Sequence, residues 1–331
     1  MKSILEAEDL KNKRVLVRVD WNVPIENGKV IDDFRIKKSL STLEYLKNAG
    51  AKVIIATHLE PEGTSVKHLK TYVPEGMELL ENLRDNPGEE NNLEEFAKEL
   101  ASNVDIYVNE AFSVSHRRHA SIVGLPKLLP SFIGLQFVLE IKELSKAFYP
   151  PKPFLFILGG AKFDTKLPLL KKFIPIADQI FVGGALANNF FKEQGVDIGN
   201  SLASEGNFEL KELLKTDKII LPEDTIITDG KILDAGPRTM ENLKSIISTS
   251  KLVLWNGPLG SYEDGYKTAT LALAKIISET KCESIIGGGD TIAAIKELNL
   301  FDKFSFVSTG GGAMLDFLAT GTLPGIEALN H

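Results

Sequence analysis

The sequence predicts an α/β protein built from two doubly wound parallel-sheet (Rossmann-like) domains. Short runs rich in β-branched residues alternate with amphipathic helical patterns along the chain, which is the signature of parallel α/β architecture. With 331 residues the chain is long enough for two domains of ordinary size, each with its own core. A helical pattern that stops at a proline-rich passage, residues 150–153, marks the expected boundary between them.

In the first half of the chain the patterns predict three strands and three helices. The strands are expected near 14–19, 52–57 and 104–108, and the helices over 33–49, 92–102 and 136–148. The last helix stops before Pro150 and Pro151, because proline ends helices and stiffens the connectors that follow. The first domain is therefore expected to cover residues 1–150 and the second residues 151–319.

The second half continues the same alternation. Strands are expected near 153–158, 179–183, 217–220, 251–255, 283–287 and 303–307. Helices are expected over 162–173, 185–193, 207–215, 237–247, 268–280, 291–297 and 312–319. A helix after nearly every strand favours a second parallel sheet rather than a β-sandwich or barrel.

Composition excludes several classes of protein. The net charge of −7 argues against general nucleic-acid binding, which usually needs a basic face. The single cysteine, Cys282, excludes an internal disulfide and offers no multi-cysteine metal site. No apolar run approaches membrane-spanning length, and the first residues lack the apolar core of a secretory signal. We therefore expect a cytoplasmic protein with neither nucleic acid nor membrane as a partner.

Five glycine-bearing turns in the second half each follow a short apolar run. They are FILGG at 156–160, FVGGA at 181–185, LWNGPLG at 254–260, IIGGGDT at 285–291 and VSTGGGA at 307–313. Glycine permits close backbone approach and positive φ, so such turns let main-chain N–H groups converge on a phosphate. Five of them on successive strands predict one phosphate-binding crevice along the strand ends.

The GGGDT turn carries a candidate metal ligand. A helix that starts at Thr291 would direct backbone N–H groups at a phosphate, and the Asp290 carboxylate lies where it could hold Mg²⁺. The alternative is a tight turn whose Asp-Thr pair only caps the helix. A similar glycine turn one strand later, at 308–313, favours the ligand-binding interpretation.

Two lysines follow the glycine pair at 159–160. Lys162 and Lys166 lie four residues apart on a predicted helix, so they share a face and could offset charge on a phosphoryl group. The alternative is a solvated lysine face. Two familiar nucleotide motifs are missing, because no G-x-G-x-x-G opens a helix after a strand and Tyr266 interrupts the P-loop-like stretch 260–268.

Polar and basic residues concentrate in the first half, where six of the seven arginines and four of the five histidines precede residue 120. Several lie at or just after predicted strands, and the carboxyl ends of parallel strands share one edge of a sheet. The candidates are Asp20, Asn22, Arg35, His58, Arg117 and His119. Singly they could be an Asx turn, a surface arginine or a satisfied core histidine. Together they indicate a small, highly anionic substrate, since arginine makes bidentate contacts to phosphate and carboxylate.

The sequence shows no Ser-His-Asp arrangement, no H-E-x-x-H and no obvious acid–base pair. Phosphoryl transfer to an already ionised acceptor needs none of these, only positioning and stabilisation of charge. The two halves of the chain fit that chemistry.

Nine motifs occur in the order found in the phosphoglycerate kinase family, and the chain resembles that family nearly end to end. They are RVDWNVP, DDFRI, LLENLR, YVNEAF, HRRHAS, PFLFILGGAK, WNGPLG, GGGDT and STGGGA…LPGIEAL. The resemblance implies reversible phosphoryl transfer from 1,3-bisphosphoglycerate to Mg·ADP, giving 3-phosphoglycerate and ATP in glycolysis and gluconeogenesis. It also implies a glycerate-binding first domain, a nucleotide-binding second domain, a hinge helix between them, and a C-terminal segment, about 320–331, that returns to the first domain.

The resemblance also implies roles for the matching positions. The implied glycerate-site residues are Asp20, Asn22, Arg35, His58, Arg117 and Lys152, and Arg35 with Lys162 would stabilise the transferring phosphoryl group. The implied nucleotide-site residues are Gly160, Lys166, Gly184, Asn256, Glu263, Gly288, Gly289, Asp290, Thr291, Gly311 and Gly312, with Asp290 as the Mg²⁺ ligand. The resemblance implies small-molecule substrates as the partners and Mg²⁺, bound with ADP or ATP, as the cofactor. It also implies a monomer.

The chain departs from the family pattern at two glycerate positions. The family's S-H-L-G-R-P reads THLEPE here, so Pro61 stands where the family has arginine. Lys152 replaces a second arginine, keeping the charge but losing the bidentate fork. The alternatives are therefore a weakly active or inactive homologue that binds nucleotide or a partner, and a kinase of another small carboxylate. Arg118 is the expected substitute for the missing arginine, and the chain is expected to be shorter than typical members.

Overall fold

The computed structural model describes residues 1–206 and 208–330, which form two compact units. Unit 1 comprises Met1–Lys142 together with the chain from Thr320 onward, and unit 2 comprises Glu143–Ala319. The predicted fold class, α/β with two parallel sheets, is confirmed. Unit 2 begins at Glu143, whereas the sequence placed the boundary at residues 150 and 151. The assignment of one substrate to each domain stays a prediction.

Unit 1 contains a five-stranded parallel sheet and a small antiparallel hairpin. Its strands are β1 (Arg14–Arg18), β2 (Ile25–Glu26), β3 (Lys29–Val30), β4 (Lys52–Ala56), β5 (Glu78–Leu79), β6 (Ile106–Asn109) and β7 (Ser131–Ile133). The order in the sheet is β5-β4-β1-β6-β7, and β2 pairs with β3. Leu16 of the central strand lies opposite Ile54 of β4 and Tyr107 of β6. The carboxyl ends of β1, β4 and β6 therefore lie side by side.

The N-terminal segment of unit 1 contains three helices, and the first of them packs against this sheet through its apolar face. They are α1 (Phe34–Asn48), α2 (Glu94–Ala101) and α3 (Leu135–Ser145), which begins in unit 1. Short 3₁₀ turns occupy Ile4–Glu6, Val66–Tyr72, Leu83–Asp85, Phe112–Val114 and Leu125–Lys127, and a π turn occupies Ala120–Gly124. In α1, the apolar positions Ile36, Leu43 and Leu46 are fully buried in the core that β1 and β4 also form. This spacing is the helical period that the sequence predicted.

Unit 2 contains a six-stranded parallel sheet and a second hairpin. Its strands are β8 (Phe154–Leu158), β9 (Gln179–Val182), β10 (Ile219–Ile220), β11 (Thr225–Thr228), β12 (Lys231–Ala235), β13 (Leu252–Asn256), β14 (Glu283–Gly287) and β15 (Phe306–Val307). The sheet order is β10-β9-β8-β13-β14-β15, and β11 pairs with β12. Every residue of β8 and β13 is buried, as expected for central strands covered on both faces.

The helices of unit 2 follow the strands closely. They are α4 (Phe163–Phe173), α5 (Ala185–Glu193), α6 (Leu210–Leu213), α7 (Pro237–Thr249), α8 (Thr268–Ser278), α9 (Gly289–Glu297) and α10 (Gly312–Thr320), and α11 (Pro324–Ala328) belongs to unit 1. Further 3₁₀ turns occupy Lys146–Phe148, Tyr262–Asp264 and Phe301–Lys303. None of the helices in residues 1–206 and 208–330 is long and apolar enough to cross a membrane.

The structure contains strands that the sequence did not predict, in the two hairpins and at the sheet edges β5 and β7, and it shortens one predicted helix. The β2–β3 and β11–β12 hairpins turn through Asn27-Gly28 and Asp229-Gly230, all four with positive φ, the dipeptides that two-residue hairpin turns require. The helix expected over 207–215 spans only Leu210–Leu213, and Asn207 lies outside the described residues. The sequence prediction missed the hairpin strands because strands of two to five residues are defined by the turn that joins them rather than by apolar periodicity.

A buried glutamic acid at the end of β6 holds the start of α3. Glu110 is wholly buried and accepts hydrogen bonds from the backbone N–H groups of Gln136 (3.1 Å) and Phe137 (3.2 Å) and from the Thr42 hydroxyl. Burial raises the pKa of Glu110 to about 8 even though these donors oppose the shift. The first turn of α3 thus depends on one buried side chain for its N–H partners.

Replacing Glu110 with Ala should destabilise unit 1 by about 2–4 kcal/mol, because two buried N–H groups and a hydroxyl lose their acceptor. The pKa of Glu110 is about 8 in the folded protein, above its ordinary value of 4.5. The difference in unfolding free energy between the wild type and Glu110→Ala should therefore shrink as pH rises from 4.5 to 8. Urea unfolding in a Trp255→Phe background measures this, because Trp21 then reports on unit 1 alone. Exposed Glu99→Ala is the control, and equal effects of both substitutions would contradict the capping role.

Candidate active site

A polar cluster of unit 1 forms at the carboxyl ends of β1 and β4. Asp20 follows β1 and is buried, and its Oδ2 accepts a hydrogen bond from Arg35 Nη1 at 2.9 Å and another from the Ser113 hydroxyl. Burial opposes ionisation of Asp20, but the surrounding groups together, Arg35 foremost, outweigh it and the pKa of Asp20 is lowered. Arg35 is held by an ionised carboxylate while about a third of its side chain stays exposed to solvent (36%).

His58, at the end of β4, is held as a neutral hydrogen-bond donor. Arg18 Nη2 lies 3.1 Å from His58 Nδ1, and because a guanidinium group can only donate, Nδ1 is the acceptor. The remaining proton of the neutral ring is therefore on Nε2. Burial, and then the charge of Arg18, lowers the pKa of His58 to about 2. The ring stays neutral across the physiological range and offers an N–H to a ligand.

Arg18 itself is buried and was absent from the candidates predicted from sequence. Its Nε donates to Ser121 Oγ at 2.9 Å, and its guanidinium also donates to the carbonyl of Val19. Glu89, which has no exposed surface, accepts hydrogen bonds from the Ser121 backbone and hydroxyl and lies 4.0 Å from Arg18 Nη2. Buried charge requires this kind of full pairing. The side chain of Arg18 thus fixes the orientation and tautomer of His58.

Asn22 links two segments of the cluster. Its backbone carbonyl accepts from Arg35 Nη1 at 3.3 Å, and its Oδ1 accepts the Glu60 N–H at 3.1 Å. The predicted residues Asp20, Asn22, Arg35 and His58 therefore lie together, as the shared strand edge led us to expect.

A pair of arginines lies near His58, and sequence reasoning named only one of them. Arg117 was predicted, whereas Arg84 was not, although it ends the LLENLR motif. Glu60 accepts a hydrogen bond from Arg84 Nη1, and its carboxylate lies 4.0 Å from Arg117 Nη1. Arg118, the expected substitute for the missing arginine, is 71% exposed and lies 3.9 Å from Glu327. Arg84, rather than Arg118, is therefore the additional arginine of the cluster.

The predicted histidine His119 lies next to the buried acid. Its Nδ1 is 3.9 Å from Glu89 Oε1 and makes no hydrogen bond within the described residues. Burial, and then the charges of Arg84 and Arg18, lowers the pKa of His119 to about 4. His119 is thus a second neutral imidazole beside the arginines.

Unit 2 brings several of the glycine turns together. Gly160, Gly184 and Gly288 all have positive φ, and a Cβ on Gly184 would lie 2.7 Å from the backbone nitrogen of Gly160. No side chain fits between these turns, so backbone lines the site. Gly289 differs, since a Cβ there would meet no atom within 4 Å. Gly311 also has positive φ, and Gly312 begins α10.

Lys166 lies in the first turns of α4 with its amine turned toward the glycine turns. The amine donates to the carbonyl of Gly159 and is largely buried. Burial, and then the charge of Lys162, lowers the pKa of Lys166 to about 8, although Asp290 opposes the shift. Lys162 is the exposed N-cap residue of α4. The two lysines and Asp290 are therefore electrostatic neighbours.

The start of α9 does not fit the capping alternative. The helix begins at Gly289, its N-cap Gly288 makes no side-chain cap hydrogen bond, and Asp290 is half-exposed in the first turn. Thr291 is buried, and its hydroxyl accepts the Gly257 N–H at 3.0 Å. Thr291 thus ties two glycine turns to each other and leaves the Asp290 carboxylate at the surface.

A cavity of about 470 Å³ in unit 2 lies beside these turns. Four of the predicted residues line it, namely Gly160, Gly184, Glu263 and Asp290. Seven others do not line it: Lys166, Asn256, Gly288, Gly289, Thr291, Gly311 and Gly312. Asn256 is buried at the end of β13 with its Nδ2 3.8 Å from the sulfur of Met314.

Among the described residues, the contacts of the Lys152 side chain are all with residues of unit 2 and not with the polar cluster of unit 1. Its amine donates to the Ile176 carbonyl and lies 3.1 Å from Asp178 Oδ2, both within unit 2. Its role in glycerate binding stays a prediction.

Comparison with known proteins places the whole chain in one family. The phosphoglycerate kinase family matches in two overlapping segments, residues 5–73 and 62–321. A phosphoglycerate kinase from Leptospira biflexa serovar Patoc (strain Patoc 1 / Paris) is 39% identical over 387 aligned positions, with 98% of each protein covered. One from Orientia tsutsugamushi (strain Boryong) is 41% identical over 386 positions, which covers 97% of this chain and 96% of the relative. The chain belongs to the phosphoglycerate kinase family.

Solved structures agree with this assignment. The phosphoglycerate kinase of Coxiella burnetii has a TM-score of 0.86 and 34% identity, and covers 99% of this chain and 98% of its own. That of Pyrococcus horikoshii OT3 has a TM-score of 0.83 at 29% identity with the same coverage. The alignment with the Leptospira protein exceeds the 331 residues of this chain, so the relative carries insertions that this chain lacks. Full-length homology assigns phosphoglycerate kinase activity, a phosphotransferase reaction of glycolysis that uses ATP, to the chain.

If Lys166 contacts the nucleotide phosphate as the sequence predicts, affinity for ADP should fall as pH rises through about 8, because the amine then loses its charge. Bound nucleotide would raise the pKa of Lys166, so binding near pH 8 should take up protons. Calorimetric titration between pH 7 and 9, in buffers of different ionisation enthalpy, measures both effects. Above that pKa the affinity should weaken by up to about tenfold per pH unit. Lys166→Ala should bind weakly without this pH dependence, and pH-independent binding by the wild type would exclude a role for the amine.

Proposed function

We propose that unit 1 binds 3-phosphoglycerate and 1,3-bisphosphoglycerate, and that unit 2 binds ADP and ATP with Mg²⁺. The observation that carries this proposal is the cluster in which Arg18 holds neutral His58 beside Asp20, Arg35 and the two arginines at 84 and 117. A neutral N–H donor among guanidinium groups suits a substrate with two anionic ends and a hydroxyl.

In unit 1, the short polar side chains would orient the glycerate and the arginines would bind its charge. We assign the contacts to the oxygen atoms of the glycerate to Asp20, Asn22 and His58. These side chains supply an ionised acceptor, an amide and an N–H donor, respectively. Arg117, with Arg84, would bind the phosphate at the far end. Lys152 remains a proposed glycerate contact on the family resemblance alone.

In unit 2, backbone N–H groups of the glycine turns would bind the nucleotide phosphates. Lys166 and Asn256 are the proposed side-chain contacts to phosphate, and Glu263, in the cavity wall, is the proposed contact to the ribose. Thr291 would act through the turn that its hydroxyl ties. The backbone contacts would come from Gly160, Gly184, Gly288, Gly289, Gly311 and Gly312.

The residues at the start of α9 fit a magnesium ion that arrives with the nucleotide. No group of three or more His, Cys, Asp or Glu side chains in residues 1–206 and 208–330 could hold a metal alone. Mg²⁺ in nucleotide sites typically takes one or two carboxylates and completes its shell with phosphate oxygens and water. The half-exposed Asp290 carboxylate, at the cavity wall, meets that requirement. Bound there, the ion would neutralise phosphate charge.

The reaction needs no general base, because the accepting carboxylate of 3-phosphoglycerate is already ionised. Catalysis then depends on offsetting the charge of the transferring phosphoryl group, which we assign to Arg35 and Lys162. Arg35 is held by Asp20 yet partly exposed, and Lys162 is exposed at the N-terminus of α4. Full-length homology favours this active kinase over a weakly active homologue. A monomeric state and a cytoplasmic location stay predictions.

Lys162→Ala should lower kcat by roughly 10²-fold or more and change the KM for ADP much less, since the proposed contact forms with the transferring group. Steady-state kinetics with both substrates measures the separation. Lys171→Ala removes another lysine of the same helix, whose amine pairs with Glu209, and should leave kcat unchanged. An unchanged kcat in folded Lys162→Ala would remove Lys162 from the mechanism.

Asp290→Asn should preserve the fold and weaken the Mg²⁺ dependence of ADP binding, because a neutral amide is a poorer ligand for a hard cation. The measurement is calorimetric titration of ADP with and without Mg²⁺. Asp302→Asn, an exposed aspartate in the 3₁₀ turn Phe301–Lys303, is the matched control. If Mg²⁺ strengthens ADP binding equally in Asp290→Asn and in the wild type, the assignment is wrong.

A further inference from the structure

The loop after β4 places a carboxylate inside the arginine cluster. Glu60 follows His58 by two residues, and its backbone N–H is fixed by Asn22 Oδ1 at 3.1 Å. Its side-chain Oε1 accepts a hydrogen bond from Arg84 Nη1 and lies 4.0 Å from Arg117 Nη1. One oxygen atom thus faces both arginines that the proposed glycerate site would use for phosphate.

The other surrounding residues neutralise these arginines only in part. The side chain of Arg84 is only 9% exposed, and its Nη2 has no hydrogen-bond partner within the described residues. Glu90 lies 3.0 Å from Arg84 Nε, on the other edge of the guanidinium group, and forms no ion pair with Arg117 among the described residues. Burial, together with the charges of Arg117 and Arg18, lowers the pKa of Arg84 despite Glu90. Without Glu60, the three guanidinium groups of Arg18, Arg84 and Arg117 are matched by only two carboxylates, those of Glu89 and Glu90, so the cluster favours one more anion.

We infer that Glu60 is an internal competitor that occupies part of the phosphate position and must leave it when substrate binds. The inference rests on the proposed glycerate site. A carboxylate and a phosphate carry the same sign and use the same N–H donors, so Arg84 Nη1 cannot serve both at full strength. The Glu60 side chain is 48% exposed, which leaves it room to rotate into solvent while its backbone stays bound to Asn22.

This competition makes Glu60 a determinant of substrate affinity rather than of catalysis. Its carboxylate contacts the arginines at the phosphate end and not Arg35, the proposed contact of the transferring group. Removal of its charge should therefore change KM for the glycerate and leave kcat and nucleotide binding nearly unaltered. Glu60 gives this loop a negative charge near the phosphate position, and neither Glu60 nor Pro61 has a side chain that can donate a hydrogen bond to phosphate.

The test compares Glu60→Gln with Glu62→Gln, which removes the same charge from an exposed residue two positions along the loop. Glu60→Gln keeps the size of the side chain and an oxygen acceptor for Arg84. Its KM for 3-phosphoglycerate should fall by about three- to tenfold, the range expected when one hydrogen bond of ordinary net strength no longer competes for the arginines. Its KM for ATP should be unchanged, and Glu62→Gln should match the wild type in both. Glu60→Ala should lower the glycerate KM as well and guards against a poorly folded glutamine variant.

An unchanged or higher glycerate KM in both folded Glu60 variants would overturn the inference, since Glu60 would then be neutral to the site or would organise the arginines. Arg84→Ala separates this failure from failure of the proposed site. If Arg84→Ala raises the glycerate KM while the Glu60 variants do nothing, the glycerate site stands and only the competition is wrong. If neither change affects that KM, the phosphate is bound elsewhere and both proposals fail.

Discussion

The buried guanidinium group of Arg18 is the interaction on which the chemistry of unit 1 depends. It leaves the central strand β1 and reaches His58, Ser121 and the carbonyl of Val19. An unpaired charge at that depth would be strongly unfavourable, so the surrounding donors and acceptors are fixed by the need to satisfy it. One consequence is the tautomer of His58, because a guanidinium donor at Nδ1 leaves the neutral ring a single proton, on Nε2.

Parallel-sheet topology supplies the rest of the arrangement. Strands β1 and β4 are neighbours, so the residues after each of them, Asp20 and His58, arrive at one edge without a dedicated long loop. In unit 2 the same topology places glycine turns after β8, β9 and β14, where close backbone approach and positive φ are needed. In the proposed sites, the two units would use the carboxyl edge of a sheet for different chemistry. Side-chain charge would dominate in unit 1 and main-chain N–H groups in unit 2.

The sequence predicted the strands and helices with strong apolar periodicity and the residues that directly follow strands. It predicted α5 at residues 185–193, which the structure gives as Ala185–Glu193, and it brought Asp20, Asn22 and His58 to one edge. It missed Arg18 and Glu89, because a buried ion pair between segments about 70 residues apart leaves no local pattern. It missed Arg84 because sequence reasoning predicts that a charged residue in a short turn is exposed. Only the folded chain shows that Arg84 is buried beside Arg117. The pairing of Glu60 with Arg84 is equally invisible without coordinates.

The most direct test of this account is the protonation state of His58, read from its ring nitrogens by long-range ¹H–¹⁵N NMR. The account predicts a neutral ring with the proton on Nε2 from pH 8 down to pH 5, because burial and Arg18 lower the pKa of His58 to about 2. Addition of 3-phosphoglycerate should shift the His58 Nε2–H signal and leave that of exposed His68 unchanged. A His58 that titrates near its ordinary pKa of 6.5, or that does not respond to 3-phosphoglycerate, would contradict the central claim.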